Sequence, residues 1–298
     1  MDNARGAALM VLAMFGFAVE DMLIKQMAAG LPVGQVITVL GIGGALIFGF
    51  IARSYGDRLF SREALHPKLL LRNGCEVFGT LGFVAAIALT PISTASAILQ
   101  ATPLVVTIGA ALFLKETVGW RRWLAISIGL FGVLLIIRPG MDAFDPKSLL
   151  AVMGVVGLAA RDLATRRIPR TISSRVIAFY AFVVSILTGF LLLAFGVTGS
   201  SWVVPDTTDG LRLIGAVVVG VAAYYAIVAA TRIGEMSIVA PFRYSRLVFA
   251  LIIGVFAFGE RPDALTLLGG VIIVTSGIYT LWREAKLRRA SPSKRTAL

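Results

Sequence analysis

The chain is dominated by runs of about 20 apolar residues, each long enough as an α-helix, at 1.5 Å per residue, to cross the ~30 Å hydrocarbon core of a bilayer. Ten such runs are readable, at roughly 6–29, 33–52, 69–90, 94–114, 121–138, 148–166, 174–197, 211–231, 236–258 and 264–282. Helices satisfy their own backbone hydrogen bonds, which hydrocarbon demands. The fold class expected is therefore an all-α membrane protein with ten transmembrane helices. Composition agrees: 15% of the residues are charged, against about a quarter in a soluble domain that must cover its surface. The first run continues unbroken past the length of a signal-peptide core and shows no small-residue cleavage site, so it reads as a span.

Net charge is +12, a value that in a soluble protein would suggest nucleic acid. Its distribution points to a membrane instead. With the N-terminus placed inside, the inner segments carry twenty basic residues. These are Arg5; Arg53, Arg58, Arg62, Lys68 and Arg72; Lys115, Arg121 and Arg122; Arg166, Arg167, Arg170 and Arg175; Arg232; and Arg283, Lys286, Arg288, Arg289, Lys294 and Arg295 of the tail. The outer segments carry four: Arg138, Lys147, Arg212 and Arg261. This bias predicts cytoplasmic N- and C-termini in a bacterial-type inner membrane. The basic tail reads as an anchor at the anionic inner leaflet, with no nucleic-acid role. Trp120, Trp123, Trp202 and Trp282 fall at predicted interfaces and read as belt residues.

Five spans per half put the second half in the opposite orientation, so an internal repeat would be inverted. The fourth span ends at Leu114-Lys115-Glu116 and the ninth at Phe258-Gly259-Glu260. Each is followed by a glycine-punctuated apolar helix, Gly129-Leu130-Phe131-Gly132 in one half and Gly269-Gly270-Val271 in the other. Setting Glu116 on Glu260 gives a 144-residue offset. Near the start of each half, Glu20-Asp21 with Lys25 matches Arg161-Asp162 with Arg166. The predicted organisation is one integrated domain of two inverted five-helix repeats, 1–140 and 141–298. That architecture places a substrate site near the midplane, where the halves meet.

Charges inside the apolar runs are costly and mark candidate sites. In the first span Phe17, Asp21 and Lys25 share one face, and Asp21 and Lys25 are spaced to pair at i,i+4. Asp162 and Arg166 repeat that face in the sixth span, beside Arg161. Arg243 and Arg246 lie at i,i+3 in the ninth, around Tyr244, one turn after the helix-breaking Pro241. An arginine facing a cavity offers a planar fork of donors to a carboxylate. The same residues also read as ion pairs between helices, with Glu20, Asp21, Glu76 and Asp162 as the available acids. Gln100, near the gating candidate Pro103, together with Phe78, Tyr224 and Tyr225, completes the predicted cavity lining; helix packing is the alternative role for each.

The hairpin Thr90-Pro91-Ile92-Ser93-Thr94-Ala95, the following Thr102-Pro103-Leu104, the phenylalanine-to-glutamate helix ends at Glu116 and Glu260, and the glycines after each resemble the drug/metabolite transporter superfamily in its EamA branch. Pro241 departs from that pattern, falling six residues before the position that matches Pro103. The resemblance implies a secondary transporter of small metabolites working by alternating access, with no cofactor. Buried acids beside buried arginines suggest a zwitterionic cargo, and the expected activity is export of amino acids, including aromatic or bulky neutral ones. Transport of a nucleoside, sugar, S-adenosylmethionine or drug is the alternative, with a membrane receptor or intramembrane enzyme as rival classes. The chain has no GxxxxGK[ST] phosphate loop and no HExxH or CxxC metal motif. Neither ATP hydrolysis, an ATPase partner nor a metal is therefore expected.

Overall fold

A computed structural model describes residues 2–116, 118–169, 171–233 and 236–290. Arg170 of the inner basic segments and Lys294 and Arg295 of the tail lie outside the described residues. Among those described, ten helices are long and apolar enough to cross a membrane. In the first half they are α1 (Asp2–Met27), α2 (Val33–Ser54), α3 (Pro67–Leu89), a fourth span broken into α4 (Ile92–Leu99) and α5 (Thr102–Phe113), and α6 (Trp120–Ile137). The second half has α7 (Ser148–Thr165), α8 (Ser174–Ala194), α9 (Thr207–Ile233), a ninth span of α10 (Met236–Val239), a 3-10 turn (Ala240–Tyr244) and α11 (Ser245–Phe258), and finally α12 (Ala264–Ala290). The large side chains pointing outward are apolar, among them Leu46, Phe50, Phe131, Phe190 and Phe256. Water would penalise such a surface, and lipid does not.

The helix pairing follows a two-fold relation between the halves. The second span packs on the seventh (α2 on α8), the fifth on the tenth (α6 on α12), and the fourth on the ninth (α4 on α11). The third packs on the sixth (α3 on α7), and the first on the eighth (α1 on α9). Exchanging the halves turns each of the last two pairs into the other. Local geometry repeats as well. Lys115 and Gly259, 144 residues apart, both adopt left-handed φ, +55° and +62°. The next N–H in each case donates six residues back, Glu116 to the Ala110 carbonyl (3.2 Å) and Glu260 to the Gly254 carbonyl (2.9 Å). Both helices thus end on the same left-handed cap.

Both breaks occupy the same part of the repeat although their prolines do not. Pro103 has no N–H for the Leu99 carbonyl, and the Thr102 hydroxyl donates to that carbonyl at 2.6 Å. In the ninth span the turn containing Pro241 winds to 3-10 geometry, and the Ser245 hydroxyl donates to the Phe242 carbonyl at 2.7 Å. Offset by 144 residues, 99–102 falls on 243–246, the C-terminal edge of that turn. The Gln100 side-chain amide donates to the Arg243 carbonyl at 3.4 Å, joining the two breaks.

Glycine sets the distance between the paired helices. A Cβ added at Gly79 of α3 would sit 2.6 Å from the Leu158 backbone nitrogen of α7, whereas one added at Gly74, on the same helix, would meet nothing within 4 Å. Gly79→Ala must therefore push backbone apart and is expected to destabilise by about 1–3 kcal/mol. Gly74→Ala removes only glycine's backbone freedom and is expected to be neutral or stabilising by up to ~1 kcal/mol. Thermal midpoints in one detergent compare the two; equal shifts would contradict the close α3–α7 contact.

Candidate functional site

Two charged clusters meet inside the bundle. In the first, Arg246 at the start of α11 reaches α1. Its Nη2 lies 2.6 Å and its Nε 3.2 Å from Oδ2 of Asp21, which is only 4% exposed. The Arg246 guanidinium also stands over the rings of Phe17 (5.4 Å) and Phe83 (5.3 Å), packed from α1 and α3. The second cluster runs between α3 and α7. Arg72 contacts Glu76 at 2.5 Å one turn along α3. Glu76 is paired with Arg161 at 3.1 Å, and Arg161 in turn with its neighbour Asp162 at 2.8 Å. These residues alternate in sign, so each buried charge has a partner, as desolvation requires.

Arg243 is an exception. Its charge acts on Asp162, yet among the described residues its guanidinium makes no ion pair or hydrogen bond. Arg243 lies in the 3-10 turn, on backbone already freed from regular helix. Beside the second cluster stands an aromatic wall: Tyr224 of α9 lies within electrostatic reach of Arg72, Glu76, Arg161 and Asp162. Its ring meets Phe48 at 5.3 Å and Phe182 at 5.9 Å. Glu20, next to Asp21, points across to α9, where Gly220 leaves room for its carboxylate. Among the described residues it has no ion-pair partner.

The structure brings Phe17, Asp21, Glu76, Asp162, Tyr224, Arg243 and Arg246 into these clusters, with Gln100 at the crossing of the breaks. Four expectations need correction. Phe78 is 49% exposed on the outside of α3 and lines no cavity, and Tyr225, 65% exposed, likewise faces outward. Each lies a residue or two from an inward-facing neighbour, Glu76 or Tyr224, and a helix turns such neighbours to different faces. Lys25 does not pair with Asp21. Its ammonium donates to the Ile87 and Thr90 carbonyls at the end of α3, at 3.1 and 2.5 Å. Tyr244 is buried against Gly277 of α12 and acts in packing. His66 caps α3: its Nδ1 accepts from the Lys68 N–H at 3.2 Å. Phe48, Phe83 and Phe182 emerge only from the structure, since nothing in an apolar run separates a wall phenylalanine from a lipid-facing one.

Comparison with known proteins matches this architecture to one family. The EamA-like transporter family model matches residues 4–138 and again 146–282. The chain is 32% identical to a riboflavin transporter of Vibrio cholerae, with 96% of each chain covered. It is 30% identical to a pseudopaline exporter of Pseudomonas aeruginosa (92% of this chain, 94% of the relative). An S-adenosylmethionine uptake transporter of Rickettsia conorii is 26% identical over 76% of this chain and 74% of its own. A solved crystal structure sharing 16% identity has the same fold, with a TM-score of 0.63 over 92% of this chain and 98% of the other. With each half matched in turn by the family model, this multi-pass membrane protein belongs to the EamA-like transporter family.

Proposed function

We propose that the protein is a secondary transporter that carries a small organic solute bearing an anionic group and a flat or apolar part, by alternating access between its halves, 1–140 and 141–298. The observation that carries this reading is Arg243, a half-buried arginine on broken helix, beside Asp162 but without an ion pair among the described residues. Its five donors are free for a carboxylate or similar oxyanion. The wall of Tyr224, Phe48 and Phe182 next to the α3–α7 network suits a ring or bulky apolar group, in keeping with sites that are mostly apolar with few polar anchors. The relatives carry named cargoes that differ in chemistry and in direction. This supports a metabolite other than a simple amino acid. Amino-acid export is the second reading, favoured by Glu20 on α1, an acid without an ion-pair partner among the described residues, which together with Arg243 would offer one group of each sign to a zwitterion.

The membrane is proposed to be a bacterial-type inner membrane with both termini cytoplasmic, on the strength of the basic bias. Reporter fusions at Leu298 and in the 200–210 loop then report opposite sides. Cargo is tested by counterflow in proteoliposomes with a labelled panel: riboflavin, S-adenosylmethionine, phenylalanine, leucine, a dicarboxylate, a nucleoside and a cationic drug. Flux confined to solutes with an anionic group supports the reading. Flux of the cationic drug alone overturns it, and phenylalanine or leucine as the sole substrate favours amino-acid export.

A further inference from the structure

The second span turns two faces to different surroundings. Phe48 points inward to the Tyr224 ring, while Leu46, Phe50 and Arg53, spaced at i, i+4 and i+7, share the outward face. Along that face, between α2 and α8, runs an open groove of about 600 Å3. Gly49 lines its floor, where an added Cβ would stand 3.2 Å from the Phe179 ring of α8. The remaining wall is Leu59 and Phe60, on a segment that folds back beside the two helices. That segment is pinned to α8 and its N-cap. The Tyr180 hydroxyl donates to the Leu59 carbonyl at 2.8 Å, and the Phe60 ring meets Phe179 edge-on at 6.0 Å. Asp57 accepts from the Ser173 hydroxyl at 2.9 Å and from Nε of Arg175 at 2.6 Å.

One end of the groove is charged. Arg53, in the last turn of α2, lines it, and among the described residues its guanidinium makes no ion pair or hydrogen bond. Ser54 beside it already donates its hydroxyl to the Ile51 carbonyl at 2.9 Å. Asp57, the nearest acid in the sequence, is engaged by Ser173 and Arg175. From Leu46 to Arg53 the trough follows α2 for about 10 Å at 1.5 Å per residue, apolar along its length and cationic at its end. In the orientation proposed above, that end lies at the cytoplasmic surface, where the leaflet is anionic.

We infer that the groove binds one anionic phospholipid of the inner leaflet, with an acyl chain against Leu46, Phe50, Phe60 and Phe179 and the phosphate on Arg53. The walls ask for no polar partner, and the planar guanidinium fork suits two phosphate oxygens. A zwitterionic lipid would bring an ammonium group beside its phosphate; Arg53 repels that group, and Asp57 is not free to receive it. A second copy of the chain, lying in the same membrane orientation, would bring its own Arg53 to the same depth and set basic end against basic end. The lipid seated here touches α2 of the first half and α8 of the second, and so bears on how the halves pack. The site lies apart from both charged clusters and its test needs no cargo, so it fails separately from the proposed function.

The experiment strips the purified full-length protein of lipid with excess detergent and adds phosphatidylglycerol or phosphatidylethanolamine with identical acyl chains. Bound lipid is counted by native mass spectrometry. The wild type is expected to retain phosphatidylglycerol ~5-fold or more over phosphatidylethanolamine, the factor one basic residue supplies at a membrane surface. Arg53→Gln is expected to erase that preference, and Arg53→Lys, which keeps the charge, to retain most of it. Leu46→Trp fills the exposed trough without touching the charge; it is expected to lower retention of both lipids, and it serves if Arg53→Gln does not purify. Glycerol phosphate in excess should displace nothing, since it has the head but no chain. Four results overturn the proposal: equal retention of the two lipids by the wild type, a preference unchanged in Arg53→Gln, displacement by glycerol phosphate, or wild-type dimers that Leu46→Trp dissolves.

Discussion

Arg246→Ala is expected to destabilise the protein by about 3–5 kcal/mol, the usual cost of leaving one member of a buried ion pair without its partner. Asp21 is almost wholly inaccessible and takes two hydrogen bonds from that guanidinium. With Arg246 gone it must lie charged among apolar helices or take up a proton. The lost stacking on Phe17 and Phe83 adds to the effect, at roughly 1–2 kcal/mol for desolvated cation–aromatic contacts. Combining Arg246→Ala with Asp21→Asn removes the stranded charge and should recover most of the ion-pair portion but not the stacking portion. Thermal unfolding of the wild type, both single variants and the double variant closes the cycle. If the double variant is no more stable than Arg246→Ala, the pair does not carry the stability assigned to it, and Arg246 reverts to a candidate for direct contact with substrate.

The sequence discloses the helices because hydrocarbon imposes a length and a composition on each span. It also discloses the repeat, because Glu116 and Glu260 end equivalent helices on equivalent turns. Pro241 and Pro103 stand six residues out of register. The breaks themselves remain aligned, since a 3-10 turn after Pro241 carries the distortion forward to Tyr244. What the sequence could not rank was the choice of partner for each charge. Asp21 stands four residues from Lys25 and 225 from Arg246, and helical spacing alone favours the near one. The structure pairs it with the distant one because Lys25, one turn further along α1, reaches the carbonyls that end α3. Partnering inside a bundle is decided by which helices touch and at what height, and that is written in glycine contacts such as Gly79 against α7, where the chain shows only small residues in an apolar run.

Arg243→Ala should have the opposite profile to Arg246→Ala: transport lost, fold retained. Among the described residues no acid has Arg243 as its ion-pair partner, and Asp162, which feels its charge, keeps its bond to Arg161 at 2.8 Å, so truncation strands no charge and the thermal midpoint should stay close to wild type. A carboxylate held by a guanidinium gains about 1.5–3 kcal/mol from charge-assisted hydrogen bonds, which corresponds to roughly 10–150-fold in affinity. Flux of the solute identified by the counterflow panel, measured below saturation, should fall by that factor in Arg243→Ala. Arg243→Lys keeps the charge but not the planar fork and should fall between the two. Binding measured by substrate-induced thermal stabilisation should weaken in parallel, distinguishing a lost anchor from a lost conformational step. If Arg243→Ala instead unfolds, or transports at the wild-type rate with unchanged affinity, the arginine is a structural or bystander charge, and the anionic group must be received elsewhere in the bundle.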